Sequence, residues 1–374
     1  MRHEEFFVKK CNQKREIYAV DVFCGAGGLT NGLEKAGINV LLGIDIDPSC
    51  SFPYTANNKA RFLLKSVEKI TAQDLVSIFP KNGFRLIAGC APCQTFSTYN
   101  QKASRTDKRW RLLGQFSRLV REVSPELVTM ENVPKLMGHG IFKRFVKDLE
   151  KNGYHVDYRV VECVNYGIPQ QRERLVLLAS KLGPIEILQP AADDMNSERR
   201  TVQAAIGNLP PLVAGETCES DPLHQCSSLS PKNLSRIKAS RPGGTWRDWE
   251  DDLVADCHKK SSGKTYPSVY GRMVWNEPSP TLTTQFYGFG NGRFGHPEQD
   301  RAISLREGAI LQSFPPDYRF TPPEEPIHKK TVGRLIGNAV PVKLGEVIGK
   351  SILEHVSEYE TSPRRVIIGA GRHG

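Results

Sequence analysis

The amino-acid sequence predicts an α/β protein with a doubly wound, mostly parallel sheet and a second, smaller, irregular domain. Three observations support this class. Short apolar runs rich in β-formers alternate with amphipathic helical stretches through the first half of the chain. After Ser180 the composition becomes rich in turn residues, and helical periodicity returns at 332–356. Alternating strands and helices build parallel sheets covered on both faces, so we expect a buried sheet in the first half.

The elements follow from the pattern in chain order. We expect strands at residues 17–23, 40–46, a run ending near 64, 84–88, 126–130, 156–161 and 174–179. Helical spacing of apolar residues predicts helices at 29–36, 112–123, 142–149 and within 332–356, where Pro341 stands near the start of the last helix.

The composition also predicts how the 374 residues divide. Residues 16–180 and 327–360 are expected to form the sheet domain, and 181–326, rich in Pro, Gly, Ser and Asn, the irregular domain. Residues 361–374 are polar and basic with several glycines, so we expect a flexible tail.

The charge balance favours a polyanionic partner. Lys and Arg number 51 against 41 Asp and Glu, which leaves a formal net charge of +10. Nucleic acid is the leading candidate for such a partner, and a solvated basic surface is the alternative. No stretch approaches the roughly 20 apolar residues of a membrane span, and the first residues lack the apolar core of a signal peptide. We therefore expect a cytoplasmic protein with no membrane partner.

The cysteines do not predict disulfides or a metal. Nine cysteines without a secretory signal indicate reduced thiols. A loose group in the irregular domain has spacing that fits no zinc pattern well, so no metal is expected: Cys218, His224, Cys226, Cys257 and His258.

The first motif with chemical meaning is Asp21-Val-Phe-Cys-Gly25-Ala-Gly27-Gly28, between the first strand and its helix. Glycines allow a close approach of backbone to ligand, and a helix N-terminus offers free N–H groups. Asp45 ends the second strand about 20 residues further on, where α/β nucleotide-binding proteins place a carboxylate for ribose hydroxyls. The motif suits an adenosine-containing ligand with a small charged appendage. The alternative is a plain tight turn.

The second motif is Gly89-Cys90-Ala91-Pro92-Cys93-Gln94-Thr95-Phe96-Ser97, directly after the fourth strand. Its position places it at the same crevice as the glycine turn. Three interpretations stay open on spacing alone. Cys90 and Cys93 form a redox pair, or Cys93 is a nucleophile presented by Pro92, or both are inert core thiols.

Two further motifs stand at strand ends. Glu131-Asn132-Val133-Pro134 follows the fifth strand, where a carboxyl group suits an acid or a hydrogen-bond anchor. Gln170-Gln-Arg172-Glu-Arg174 begins a buried strand, and alternation predicts Arg172 and Arg174 on one face, where two guanidinium groups would grip an anion or carbonyl. Each motif taken alone also fits an ordinary surface.

In this order the motifs resemble the C5-cytosine DNA methyltransferase family, over nearly the whole chain. The resemblance continues with Arg306-Glu307-Gly-Ala-Ile-Leu-Gln312-Ser-Phe314-Pro315 and Gly337-Asn338-Ala339-Val340-Pro341. It implies a catalytic and cofactor domain at 16–180 and 327–360 and a target-recognition domain at 181–326. It also implies a bacterial or phage modification enzyme without an added regulatory module.

The resemblance implies a role for each catalytic residue type. The thiolate of Cys93 attacks carbon 6 of a flipped-out cytosine, and carbon 5 then accepts a methyl group from S-adenosylmethionine. Glu131 holds or protonates ring nitrogen 3, while Arg174, together with Arg172, binds the ring oxygen.

The cofactor residues implied in the same way are Asp21, Phe23, Gly25, Gly27, Gly28, Leu29, Asp45, Ile46, Ser66, Val67, Pro92, Asn338 and Val340. Three positions depart from the family pattern. Ile46 stands where an aromatic residue often stacks on adenine, and Ser66 stands where an Asp commonly binds its amino group. Arg109-Trp110 replaces a frequent Arg-Gly pair.

For DNA, the resemblance implies that the basic loop at 97–111 closes over the flipped base; a solvated loop is the alternative. The candidate DNA-contacting residues near this loop are Gln94, Ser97, Lys102, Arg105, Lys108 and Arg109. Those of the recognition domain, chosen by residue type alone, are Arg241, Arg247, Arg272, Gln285 and Arg293. We expect a monomer acting on duplex DNA and associated with the nucleoid, with a restriction endonuclease of the same site as a candidate partner. Methylation of tRNA, a catalytically silent regulator and a dithiol oxidoreductase are the alternatives.

Overall fold

The computed structural model describes residues 15–92, 110–192, 200–261 and 263–362. Its centre is a seven-stranded sheet with strand order β3-β2-β1-β4-β5-β8-β6. These strands are β1 (Ile17–Val22), β2 (Asn39–Asp45), β3 (Arg61–Leu64), β4 (Phe84–Gly89), β5 (Leu127–Asn132), β6 (His155–Glu162) and β8 (Glu173–Ser180). The strands β3, β2, β1, β4 and β5 pair in parallel, whereas β8 is antiparallel to both β5 and β6. The predicted doubly wound, mostly parallel sheet is confirmed.

The helices in the described ranges lie between and after these strands. They are α1 (Gly28–Ala36), α2 (Ser51–Asn57), α3 (Ala72–Val76), α4 (Trp110–Val123), α5 (Gly140–Lys151), α6 (Val202–Ile206), α7 (Pro231–Ala239), α8 (Asp256–Lys259), α9 (Leu305–Leu311), α10 (Lys329–Asn338) and α11 (Val342–Thr361). The helical stretch expected within 332–356 is two helices, and Pro341 is the N-cap residue of α11, as its fixed φ favours. The short helices α2 and α3 were not predicted.

Both faces of the sheet are buried, as the continuous apolar strands require. On one face, Ile17, Ala19 and Leu86 pack with residues of α1 and of the C-terminal helix α11. On the other face, Val20 and Ile87 pack with residues of α4 and α5. Neighbouring residues of β1 therefore point to opposite layers, and α11 brings the end of the chain back against its beginning.

Between β8 and α10, the part that is described contains only short elements. Besides α6 to α9, these are the strands β9 (Thr217–Cys218), β10 (Asp221–Gln225) and β11 (Ser279–Pro280). The short strand β7 (Gln170–Gln171), which precedes β8, pairs with β11. One apolar cluster, with Trp246, Trp249 and Phe289, is drawn from this segment alone. Another joins Val202 and Leu305 to Ala26 and to Leu335 of α10, so it crosses the expected boundary at residue 326. The division into domains stays a prediction.

Candidate functional site

The four motifs meet at one edge of the sheet. Parallel strands place their carboxyl ends together, and the motifs follow the ends of β1, β2, β4 and β5. Val22 pairs with Ile44 on one side and with Gly89 on the other, and Gly89 pairs in turn with Met130. Because β8 runs in the opposite direction, its first residues, including Arg174, lie at this same edge.

The glycine turn is fixed by the end of β2. The backbone N–H groups of Phe23 and Cys24 donate to the carbonyl of Ile44 at 2.8 and 3.1 Å, and Phe23 has a φ of +65°. The N–H of Gly25 donates to the Asp45 carboxylate at 2.9 Å. A Cβ at Gly25 would have no neighbour within 4 Å, so the turn leaves open space on this side.

The next two glycines are required by packing. Gly27 is the N-cap residue of α1 with a φ of +92°, a conformation that side chains disfavour. A Cβ at Gly28 would lie 2.3 Å from the carbonyl oxygen of Val340. This close approach brings the 338–341 segment against the turn, with Asn338 exposed and Val340 buried. Two regions far apart in sequence thus share one site, as the cofactor prediction requires.

Asp21 is buried at the base of the turn. One carboxylate oxygen accepts from the hydroxyl of Thr30 at 2.7 Å, while the other, Oδ1, has no hydrogen-bond donor among the described residues. Burial, opposed by the hydrogen bond from Thr30 and helped by the nearby Asp45, raises the pKa of Asp21 to about 7. Asp21 therefore lies behind the turn rather than on its open side.

The other predicted cofactor residues lie at neighbouring strand ends. Ile46 is 69% exposed directly after Asp45, whose main-chain oxygen accepts from Lys65 at 3.0 Å. Ser66 is half-buried beside the short helical turn Val67–Lys69. The side chains of Leu29 and Val67 are buried in the two sheet cores, so only their main-chain groups face the turn region.

Glu131 lies at the end of β5 with two partners on its carboxylate. Its side chain is 3% exposed. The thiol of Cys90 donates to Oε2 at 2.8 Å. Nε of Arg174 lies 2.8 Å from Oε1, but the pair lacks hydrogen-bond alignment, and no described donor hydrogen-bonds Oε1. The carboxylate is therefore held by a cation while one oxygen keeps its capacity to accept a hydrogen bond.

The loop that leads to the predicted nucleophile is fastened to this carboxylate's strand. The side-chain amide of Asn132 donates to the carbonyl of Ala91 at 3.1 Å, and the N–H of Cys90 donates to the carbonyl of Val22 at 3.3 Å. Pro92 is exposed. The predictions for Cys93, Gln94, Ser97, Lys102, Arg105, Lys108 and Arg109 fall outside the described residues.

The prediction that Arg172 and Arg174 share a face stays a prediction. Arg172 stands in the break between β7 and β8, close enough to Arg174 for the two positive charges to repel each other. Its guanidinium group, 3% exposed, donates to the carbonyls of Leu282, Gly337 and Ala339 at 3.2 to 3.4 Å. Burial lowers the pKa of Arg172 to about 9, so it remains mostly charged at neutral pH.

Two glutamines complete this connection. The amide of Gln170 donates to the carbonyl of Leu311 at 3.1 Å and to the side chain of Gln312 at 2.7 Å. Gln312 in turn donates to the carbonyl of Ala339 at 2.6 Å. We call these three side chains the carbonyl clamp: Gln170, Arg172 and Gln312. The carbonyl clamp binds the carbonyls of residues 282, 311, 337 and 339 to the residues that precede β8.

The candidate DNA-contacting residues differ in their exposure. Arg241 has a side chain 74% exposed and pairs with Asp248 at 3.4 Å, and Gln285 is exposed. Arg293 is half-buried and donates to the carbonyl of Gly243, which joins the 241–244 stretch to the 285–293 turn. Arg247 packs over the ring of Trp246, its guanidinium carbon 5.6 Å from the ring centroid.

Arg272 is a correction to the DNA prediction. Its side chain is 4% exposed, and its guanidinium group donates to the carbonyls of Ile237, Ser240, His296 and Gln299 and pairs with Asp300. A guanidinium group engaged in this way has no donor left for a base edge, because it binds the irregular segment together instead. The signal was absent from the sequence, where a buried and an exposed arginine look alike.

Sequence reasoning missed two roles. It considered Cys90 only as a redox partner of Cys93 or as a core thiol, and it gave Asn132 no role. Both roles follow from the pairing of β4 with β5. Gly89 pairs with Met130, so the residues after them, Cys90 and Ala91 on one strand and Glu131 and Asn132 on the other, lie side by side. In the described part of the chain, no group of three or more His, Cys, Asp or Glu residues is arranged to hold a metal ion, and no helix is long and apolar enough to cross a membrane.

Three features define the class of this protein as a methyltransferase. They are a Rossmann-like sheet with one antiparallel strand, a glycine turn that donates to a carboxylate, and a buried acid beside a cysteine loop. Comparison with known proteins gives the family. Residues 17–354 match the sequence model of the C-5 cytosine-specific DNA methylases, and the chain belongs to this family. It is a DNA (cytosine-5)-methyltransferase.

Individual relatives agree with this assignment. The chain is 52% identical over 353 residues to the Type II methylase M.HgiDII of Herpetosiphon aurantiacus, covering 93% of this chain and 99% of that protein. It is 34% identical to the Type II methyltransferase M.Eco47II of Escherichia coli, covering 90% and 79%.

Solved structures share the fold. The Entamoeba histolytica methyltransferase EhMeth matches with a TM-score of 0.61 at 15% identity, covering 93% of this chain and 100% of that one. The S. pombe Dnmt2 methyltransferase matches with a TM-score of 0.58 at 18% identity, covering 92% and 99%.

Proposed function

We propose that this enzyme methylates a cytosine flipped out of a specific duplex sequence, with Cys93 as nucleophile, Glu131 as acid and Arg174 as the cation at the ring oxygen. The observation that carries the proposal is the Glu131–Arg174 pair, with Oε1 and Nε 2.8 Å apart, beside Cys90 of the loop that leads to Cys93. A buried carboxylate whose Oε1 accepts no hydrogen bond from the described chain suits a base edge presented to it.

The chemistry follows from the poor nucleophilicity of cytosine carbon 5. The Cys93 thiolate adds to carbon 6, and the electron pair of the 5,6 double bond moves toward ring nitrogen 3, which takes a proton from Glu131. The resulting enamine makes carbon 5 a nucleophile. After methylation, a base removes the proton from carbon 5, the sulfur leaves carbon 6, and the proton on nitrogen 3 returns to Glu131.

The guanidinium group of Arg174 assists the same attack by the thiolate. Negative charge that develops on the ring oxygen during attack is stabilised by a guanidinium group already held in a low-dielectric site. Arg174 is the second residue of β8 and pairs with Val161 of β6, so its backbone is held in the sheet while its side chain, 12% exposed, lies against Glu131. Arg172 is placed by its three carbonyl contacts at the carbonyl clamp, which supports a positioning role for it.

The residues around the glycine turn fit S-adenosylmethionine. Gly25 leaves space that a side chain would fill, Asp45 ends β2 beside it, and Ile46 offers an exposed apolar surface. Asp45 would bind the ribose, Ile46 the adenine, and the Asn338 segment the methionine end. Bound there, S-adenosylmethionine supplies the electrophilic methyl group. Phe23, Gly27 and Gly28 shape the backbone of the turn.

Duplex DNA would lie against the irregular segment. Exposed Arg241 and Gln285, with Arg293 between their two loops, are available for phosphate or base contacts. We further propose a monomer that acts in the bacterial cytoplasm, since each flipped base needs one complete site. The Type II names of its relatives support a companion restriction endonuclease of the same specificity.

The test is transfer of radiolabelled methyl from S-adenosylmethionine to mixed-sequence duplex DNA. Wild type would label DNA, whereas Cys93→Ser and Glu131→Gln would not, and the matched control Cys257→Ser, a change of an exposed thiol, would label it fully. Sequencing the modified cytosines would give the recognition site.

Other outcomes would overturn the proposal in different ways. Label in bulk tRNA alone would move the substrate to RNA. Cofactor binding without label in either nucleic acid would indicate a silent regulator. Loss of activity in Cys90→Ser as complete as that in Cys93→Ser would favour a dithiol mechanism.

A further inference from the structure

Cys90 lies beside the proposed catalytic acid, at a position set by the sheet. Gly89, the last residue of β4, pairs with Met130 of β5, so Cys90 and Glu131 are the next residues on adjacent parallel strands. The N–H of Cys90 donates to the carbonyl of Val22, which extends the β4–β1 ladder by one residue. The backbone of Cys90 is thus held on both sides, and its thiol has a defined direction.

The thiol donates to one of the two carboxylate oxygens of Glu131. Sγ of Cys90 donates to Oε2 of Glu131 at 2.8 Å, whereas Nε of Arg174 lies at Oε1. The terminal torsion of a glutamate is broad, so one partner alone leaves the carboxylate plane free to turn. Two different partners on the two oxygens define that plane. The arrangement therefore fixes the direction of Oε1, a buried oxygen that accepts no hydrogen bond from a described residue.

We propose that Cys90 is a positioning residue for methyl transfer: its thiol holds Oε2 of Glu131 so that Oε1 meets ring nitrogen 3 of the flipped cytosine. The proposal rests on the proposed role of Glu131. It assigns Cys90 neither to a redox pair nor to inert packing, the two alternatives that spacing left open. The thiol acts through Glu131 and does not touch the substrate.

The test compares Cys90→Ser with Cys90→Ala. Serine and alanine lose the same sulfur and are similar in size, so they share any packing cost, but only serine keeps a donor for Oε2. We expect the single-turnover methylation rate to fall about tenfold in Cys90→Ala and to return to within about threefold of wild type in Cys90→Ser. Dissociation constants for DNA and for S-adenosylmethionine should stay at wild-type values in both.

A second readout follows the step that Glu131 assists. A duplex carrying 5-fluorocytosine traps the covalent Cys93 adduct, because fluorine cannot leave carbon 5 as a cation. Trapping should slow in Cys90→Ala by the same factor as methylation. The matched control is Cys226→Ala, which removes a buried thiol that donates to the carbonyl of Val213 at 3.0 Å outside the site; its rate should equal that of wild type.

Two results would overturn the proposal: equal rates for Cys90→Ala and wild type, or equal losses in the alanine and serine variants. The double variant with Glu131→Gln separates this inference from the proposed function. If Cys90 acts through Glu131, adding Cys90→Ala to Glu131→Gln changes the residual rate by less than about twofold. Full activity of Glu131→Gln itself would instead refute the role of Glu131, whatever Cys90 does.

Discussion

The side-chain amide of Asn132 donates to the main-chain carbonyl of Ala91 across 3.1 Å, and its side-chain oxygen accepts from the N–H of Val133 at 2.8 Å. Asn132 is buried, and both of its hydrogen bonds go to backbone groups at the edge of the sheet. One side chain thus ties the end of β5, which presents Glu131, to the loop that leads to Cys93. The position of Ala91 relative to Glu131 therefore depends on this amide.

Asn132→Asp should reduce catalysis. The change keeps the size of the side chain but replaces the donor with an oxygen that faces the Ala91 carbonyl, and a buried unsatisfied pair costs about 1–3 kcal/mol. We expect at least a tenfold lower single-turnover methylation rate. The control is Asn152→Asp, where an exposed amide donates to the carbonyl of Asp148, and its rate should be unchanged. Equal rates for both variants would show that the Ala91 contact is dispensable.

Gly28→Ala should destabilise the protein and weaken cofactor binding together. The added Cβ would lie 2.3 Å from the Val340 carbonyl, so α1 and the 338–341 segment must separate. Overpacking of this kind costs about 1–3 kcal/mol. Gly114→Ala is the control, because that helical position is exposed with nothing within 4 Å, and it should gain about 0.5–1 kcal/mol. Thermal unfolding and calorimetric titration with S-adenosylhomocysteine measure both effects; a Gly28→Ala protein with wild-type values would contradict the packing argument.

Arg172→Ala and Arg174→Ala should fail in different ways. Removing Arg172 takes this donor from the carbonyls of Leu282 and Gly337, whereas the carbonyl of Ala339 keeps Gln312, so we expect a loss of about 2–3 kcal/mol in the free energy of unfolding. Removing Arg174 takes away the cation beside Glu131 and should lower the methylation rate at least a hundredfold with a smaller change in stability. Urea unfolding and single-turnover methylation rates of both variants distinguish the loss of stability from the loss of catalysis. If Arg172→Ala is as stable as wild type but methylates slowly, Arg172 binds the ring oxygen of the cytosine rather than stabilising the fold.

The stability of the protein should fall as the pH rises toward 7 because of Asp21. Burial raises the pKa of Asp21 from 3.8 to about 7, so the folded protein keeps this proton over a range in which the unfolded chain loses it. The contribution is fully present below pH 4 and is lost by about pH 7, with a total of up to about 4 kcal/mol. Asp21→Asn removes the titration. In urea unfolding, the free energy of unfolding of Asp21→Asn relative to wild type should increase from pH 5 to pH 8. For the control Asp251→Asn, at an exposed position, this difference should stay constant. A constant difference for Asp21→Asn would refute the argument from burial.

Ile46→Trp should tighten cofactor binding. Ile46 is 69% exposed beside Asp45, so a larger ring fits without a packing cost and offers a face for adenine. Aromatic stacking contributes about 1 kcal/mol, which corresponds to an approximately fivefold lower dissociation constant for S-adenosylhomocysteine. Val213→Trp, at another exposed apolar position, serves as control and should bind as wild type does. Unchanged affinity in Ile46→Trp would place adenine elsewhere.

The strands were predictable because they depend on local patterns, and the chemistry because the ordered motifs resemble a known family. Apolar runs of buried strands are continuous, and each predicted sheet strand lies within about two residues of an observed one. The ordered motifs indicated the family, which the comparison confirms. The short helices α2 and α3 escaped prediction because their stability comes from packing, as with Tyr54 and Leu75, rather than from a periodic face.

The partners of the charged and thiol groups depended on tertiary structure. Arg172 and Arg174 stand two residues apart, yet one binds carbonyls near residues 282 and 338 and the other pairs with Glu131, because a strand boundary falls between them. Arg272 looked like a surface arginine and is buried among carbonyls. Long side chains find partners across distant segments, and no local spacing encodes those distances.

By itself the sequence determined the fold class, through its hydrophobic periodicity, and it indicated the kind of reaction through the resemblance of its ordered motifs to a known family. The tertiary structure decided that the Cys90 thiol lies against Glu131, that Arg174 pairs with the same carboxylate, and that a side chain at Gly28 would clash with the carbonyl of Val340. These are contacts between strands and segments brought together by folding. Their energies come from burial and hydrogen-bond geometry, which exist only once the sheet has formed.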